Sequence, residues 1–182
     1  MADTRHLITR PITRLITHRV ARTLAALLAV LTLSLTGCDE TTEGDGAQVV
    51  IDGRAFYLEL ALDEPSRVQG LSDRDFIAPD GGMLFVFTNS AVRQFVMRDC
   101  LVDIDIIYLD AAGRVVESHQ MVVQPRNEGE SDFAYEQRLK RYSSRFPSQF
   151  VIELAGGTLD EIEVKAGDKP EFDLEGLKRR AR

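Results

Sequence analysis

Three apolar runs between Gly81 and Asp110 constrain this chain most: Met83 to Phe87, Phe95 to Met97 and Ile104 to Leu109. Each is too short for an ordinary helix and rich in β-branched and aromatic residues, so each reads as a core strand. The last is apolar on both faces apart from Asp105, which predicts a central strand covered on two sides. Polar groups interrupt the runs at Arg93, Arg98, Asp99, Cys100, Asp103 and Asp105.

Other strands follow from local patterns. Val49 to Ile51, Asp52-Gly53 and Ala55 to Leu62 read as a hairpin, since Asp-Gly is a favoured two-residue turn. Val115 to Val123, Phe150 to Leu154 and Glu161 to Val164 add further strands, separated by turn signals at Asp110 to Gly113 and Ala155 to Gly157. Eight or so short strands with close turns predict a mostly β, compact antiparallel sandwich or barrel with one or two short helices. Asp63 to Leu71 fits a brief helix, capped by Asp63, with Pro65 in its first turn and Val68 and Leu71 buried. Residues 124–146 read as an insertion with one helical segment from Ser131 to Tyr142, in which Phe133, Tyr135, Leu139 and Tyr142 share a loose face. It fits a lid, a partner surface or a helix packed over a sheet edge.

The N-terminus is of a different kind. Arg5, Arg10, Arg14, Arg19 and Arg22 precede an uncharged apolar run from Leu24 to Leu35, too short to span a bilayer and laid out like a secretory signal. It ends in Leu35-Thr36-Gly37-Cys38, similar to the bacterial lipobox, in which the cysteine is lipidated and becomes the new N-terminus. The expectation is a signal peptide over residues 1–37, lipidated Cys38 with a flexible tether to residue 48, one β domain over 49–174 and a solvated basic tail over 175–182. An ordinary cleaved signal or an amphipathic transit peptide is the alternative. On the lipoprotein reading the protein is exported and held on the periplasmic or cell-surface face of a bacterial membrane.

Charge then narrows the partners. Residues 1–37 hold five of the 22 basic and one of the 29 acidic residues, leaving 17 and 28, a net charge of −11. So acidic a domain repels phosphate backbones, which argues against nucleic acid and leaves the acyl chain as the membrane contact. Cys100 is the only other thiol, so no intrachain disulfide is expected in the mature domain; beside Arg98 it is a candidate reactive thiol, and otherwise a small half-buried strand residue. One mature histidine, His119, and one thiol fall short of a zinc set, and Asp73, Asp75 and Asp80 lack calcium-loop spacing, so no metal or other cofactor is expected.

With these elements placed, the residues resemble the uncharacterised domain-of-unknown-function family 192. Its Arg-x-x-Gly-Leu-Met pattern is met by Arg67, Gly70 and Leu71, with Ser72 for the methionine and Arg74 after it. Gly-Met-Leu-Phe-Val-Phe is matched by Gly82 to Phe87, and Phe-Trp-Met-Lys-Asn-Thr aligns with Phe95 to Cys100. Leu-Asp-Ile-Ile-Phe is matched by Ile104 to Tyr108, Asp-x-x-Gly by Asp110 and Gly113, and the closing motifs by Tyr142 to Ser144 and Phe150 to Gly156. The resemblance runs from about Ile51 to Phe172 and implies a mostly β fold with jelly-roll character, often secreted or membrane-attached, without an assigned activity. Val96, Asp99 and Cys100 depart from the family's Trp, Asn and Thr, while Arg98 keeps a cation that can grip a carboxylate or phosphate.

The candidate polar centre is therefore Arg98, Asp99, Cys100 and Asp105, with Tyr142, Ser143 and Ser144 at its rim. Asp99, Asp103 and Asp105 share parity in an unbroken strand. A carboxylate in an apolar strand must be paired or hydrogen-bonded, so Asp105 is a structural lock or one member of an acid/base pair. The reading favoured is a non-catalytic envelope module that binds a small polar ligand or a protein partner. The alternatives are an envelope hydrolase using Asp99 and Asp105 as acid and base, and a structural accessory protein.

Overall fold

The computed structural model describes residues 46–182; the expected signal segment, Cys38 and most of the expected tether lie outside the described residues. β1 (Gly46–Ile51) and β2 (Arg54–Ala61) form the expected hairpin. Asp52 and Gly53 both take positive φ, 49° and 74°, as an Asp-Gly turn of this hand requires. The first strand begins at Gly46, so the end of the expected tether is paired rather than free.

After β2 the chain crosses through α1 (Glu64–Gln69) to β3 (Gly81–Ala91), then β4 (Gln94–Phe95), β5 (Ile104–Leu109) and β6 (Val115–Met121). Next come α2 (Asp132–Arg138), β7 (Tyr142–Ser143), β8 (Ser148–Ala155), α3 (Thr158–Glu161) and α4 (Leu174–Arg180). Six strands pair in the order β1-β2-β3-β8-β5-β6, and β4 pairs with β7 as a separate ribbon. The β-dominated fold is as the sequence predicts. The large sheet is open and mixed, with β2 and β3 parallel and all its other pairs antiparallel. Parallel pairing follows from the crossover, because α1 and the loop after it return the chain to the end of the sheet where β2 began.

Both faces are covered. Phe56, Leu58, Leu84, Ile107 and Ile152 point to one core, closed by Leu177 of α4 and Ile162 after α3. Met83, Phe85, Ile106, Tyr108 and Val151 point to the other, closed by Leu71, Met97 and Tyr142. Every residue of β5 is buried, as its two-sided apolar pattern predicts. Burying one such Phe or Leu side chain contributes roughly 1.5–3 kcal/mol.

Several local expectations are corrected. Val68 is 59% exposed, so α1 sends only Leu71, just past its end, inward. Tyr135 and Leu139 are buried but Phe133 points to solvent, and Tyr142 belongs to β7 rather than to the helix. β3 runs on past the apolar run, through Thr88 to Ala91. Residues 162–164 form no strand and follow the short helix α3. The basic tail folds as α4, with Asp173 capping the Gly176 amide and Leu177 buried against the sheet.

Candidate functional site

A cleft of about 220 Å³ opens between α1 and the ribbon strand β4, over the face of the sheet that carries Phe85. Its first wall is set by local chemistry at both ends of α1. Asp63 Oδ1 accepts from the Ser66 amide at 3.0 Å, and Ser66 Oγ accepts from the Asp63 amide at 3.3 Å, a reciprocal cap with Pro65 inside the first turn. Gly70 ends the helix at φ 50°, with its N–H on Ser66 O at 2.9 Å.

Arg67 projects from α1 to the edge of β3. Its Nη1 donates to Val86 O at 3.0 Å, where the β3–β8 register shifts, and its Nη2 donates to Arg182 O at 2.9 Å and Glu64 at 3.4 Å. The guanidinium lies 5.2 Å from the Phe87 ring centroid, and Arg93 packs on the same ring at 3.4 Å. Arg67 Nε is buried without a hydrogen-bond partner.

The second wall is β4 and its exit. Phe95 meets Phe85 and Tyr108 edge-on, with centroids 5.1 and 5.8 Å apart. Ser72 Oγ donates to Arg98 O at 2.8 Å and the Asp73 amide to Asp99 O at 2.8 Å, which fastens the two walls together at one end. Arg98 pairs in two-pronged fashion with Glu136 of α2, so the segment 124–146 steadies a residue of the cleft wall.

Glu153 lines the cleft from β8, where it lies opposite Met83 of β3 and Ile106 of β5. It is 5% exposed, and its Oε2 has no hydrogen-bond partner. Burial without compensation pushes its carboxyl up to about 8, so the group is mostly neutral at pH 7. Gly82 explains how β8 is held: at φ 146° its backbone packs against the Glu153 carbonyl so closely that a Cβ there would overlap it.

The residues singled out from sequence fall in different places. Arg98 and Cys100 line the cleft. Burial raises the Cys100 thiol to about 11, so it is a packed side chain rather than an activated nucleophile. Asp99 turns away with φ 51°, accepts from Arg126 at 3.2 Å and gives its amide to Tyr135 OH at 2.9 Å. Asp105 points to the opposite face of the sheet, 1% exposed, where Oδ2 accepts from the Leu159 amide at 2.7 Å and caps α3 from across the core. Burial raises its carboxyl, and that hydrogen bond opposes the rise. Asp99 and Asp105 thus share no pocket, and the acid/base pair is not assembled.

Tyr142, Ser143 and Ser144 position β4 rather than touching the cleft. Ser144 and Arg93 exchange hydrogen bonds at both backbone amides, Ser143 O meets His119 Nε2 at 2.8 Å, and Tyr142 O accepts from Tyr108 OH at 2.8 Å. Sequence reasoning missed Glu153 as a site residue, and saw Arg67 and Gly70 only as family pattern. The available signal was a single carboxylate in the apolar run Phe150 to Leu154, the same anomaly that drew notice to Asp105.

The DUF192 family profile, described as an uncharacterized ACR, matches residues 47–172 and so takes in both walls and the floor of the cleft. No curated protein matches the chain. Among solved structures, a candidate transcription regulator from Sinorhizobium meliloti 1021 is 26% identical with a TM-score of 0.56, covering 71% of this chain and 93% of its own. A protein of unknown function from Novosphingobium aromaticivorans DSM 12444 is 23% identical with a TM-score of 0.56, covering 69% of this chain and 83% of its own, a likeness of fold. The chain belongs to the DUF192 family.

Proposed function

We propose that this protein is a non-catalytic binding module of the bacterial cell envelope, held at a membrane by a lipid on Cys38, and that its ligand is a small polar molecule bound between α1 and β4. The observation that carries the reading is Glu153, a buried carboxyl lining an open, phenylalanine-lined cleft with no partner of its own. Leaving such a group unpaired costs on the order of 1–3 kcal/mol, which a ligand that bonds to it recovers. A cleft of about 220 Å³ suits a small molecule or one head group of a larger one. A structural accessory protein would have no need of such an opening. The net charge of −11 beyond residue 37 speaks against nucleic acid as the ligand.

Two experiments test the two halves. Thermal-shift screening of small polar compounds against the wild type and Glu153→Leu should yield compounds that raise the melting temperature of the wild type only; stabilisation of both proteins alike would contradict the assignment of the cleft. Cells fed radioactive palmitate should label the wild type and not Cys38→Ala, whereas equal labelling would remove the lipid anchor.

A further inference from the structure

Two unsatisfied groups line one cleft, and their chemistry narrows what it holds. Glu153 Oε2 and Arg67 Nε are both buried without hydrogen-bond partners, and both residues face the same opening. The charged and titratable groups facing Glu153 are Glu64 and Arg67 of α1, Arg98 and Cys100 from the β4–β5 connection, and Tyr108 of β5. Glu64 is occupied with Arg67, Arg98 with Glu136, and Tyr108 with Tyr142 O. No salt bridge among the described residues reaches Glu153, and burial holds its proton, so below pH 8 the carboxyl presents an O–H donor beside a C=O acceptor.

Resting on the binding reading above, we infer that the cleft takes an uncharged ligand with a primary carboxamide head, which pairs with the neutral Glu153 carboxyl through two hydrogen bonds. The amide C=O accepts from the carboxyl O–H, and the amide N–H that lies on the same side donates to the carboxyl C=O. The second lone pair of the amide oxygen is the acceptor type that Arg67 Nε lacks. An ordinary trans peptide unit points its N–H and C=O in opposite directions and cannot make this double contact. A carboxylate has no donor for the Glu153 carbonyl. An ammonium can donate to the carboxyl C=O but has no acceptor for its O–H, and it enters a cleft where Arg67 and Arg93 already occupy the Phe87 ring.

Propionamide and ethylammonium, matched in size, separate the cases by ligand-observed NMR on the protein as it is produced from the full chain, extracted in detergent micelles. Propionamide should bind wild type at pH 6.5, and its binding to Glu153→Gln, which keeps a neutral donor beside an acceptor, should not change with pH. Wild-type binding should weaken about tenfold by pH 9, one unit above the carboxyl midpoint of about 8, while the variant stays level. The wild-type pH profile stands even if the variant folds poorly. Preferential binding of ethylammonium, or propionamide binding that grows with pH, overturns the ligand class and leaves the cleft as a binding site. Binding of neither probe overturns both.

Discussion

Gly70 and Glu153 face each other across the cleft: a Cβ placed on Gly70 would stand 3.6 Å from Glu153 Oε2 and 3.4 Å from the Phe85 ring. The residue that ends α1 therefore also keeps open the space above the carboxyl. Gly82, on the neighbouring strand, has the opposite character, because a Cβ there overlaps the Glu153 carbonyl itself.

These two glycines should respond differently to alanine. Gly70→Ala meets ordinary contact distances but must hold φ 50° and ψ −134°, a region side-chain-bearing residues rarely adopt, so urea denaturation should show a loss of about 1–3 kcal/mol with the fold kept. Gly82→Ala forces β3 and β8 apart and should leave little soluble protein. Equal, mild losses for both would contradict the close approach of the two strands.

Glu153 makes stability depend on pH in a stated direction. Its folded-state value of about 8 lies above the ordinary 4.5, so the folded state holds the proton more tightly than the unfolded chain does. Its contribution is full below pH 4.5 and is lost as pH rises through 8, by at most about 5 kcal/mol at roughly 1.4 kcal/mol per unit. Denaturation across pH 4 to 9 should show this decline in the wild type relative to Glu153→Gln. Parallel profiles would show that the carboxyl is solvated or paired.

Asp105→Ala should destabilise the fold by about 1–3 kcal/mol, because the Leu159 amide loses the acceptor that starts α3. Thermal melting is the check. An unchanged midpoint would mean that the cap across the core contributes nothing.

Much of the architecture was legible because it is local. The Asp52-Gly53 hairpin and the cap at Asp63 are encoded within a few residues, and the two-sided burial of Ile104 to Leu109 is written in one strand. What stayed hidden depends on contacts between distant segments. No local pattern shows that β2 and β3 run parallel, or that Arg67 reaches Val86 O. Asp99 and Asp105 share parity in the sequence, but Asp99 sits in residues 96–103, which form no strand, so parity does not carry into β5 and one turns to Arg126 while the other turns to α3. Glu153 was visible as an anomaly, but its role follows only from α1 and β4 lying over it.

Arg98→Met should separate fold from binding. The Arg98 side chain is 41% exposed, and its pair with Glu136 contributes under about 1 kcal/mol, so the melting temperature should move by only a few degrees. A cleft ligand found by thermal shift should bind less well, because the wall loses both its cation and its tie to α2. Loss of folding would assign Arg98 to the architecture instead.

The carboxyl resonance of Glu153, followed by carbon NMR from pH 4 to 10 in protein labelled at glutamate and assigned with Glu153→Gln, reads the protonation of this group in the cleft. A neutral, unpartnered carboxyl in the cleft predicts a titration midpoint of about 8. A midpoint near 4.5 would mean a solvated or paired carboxylate, and would contradict the account of the cleft as a site waiting for a hydrogen-bonding ligand.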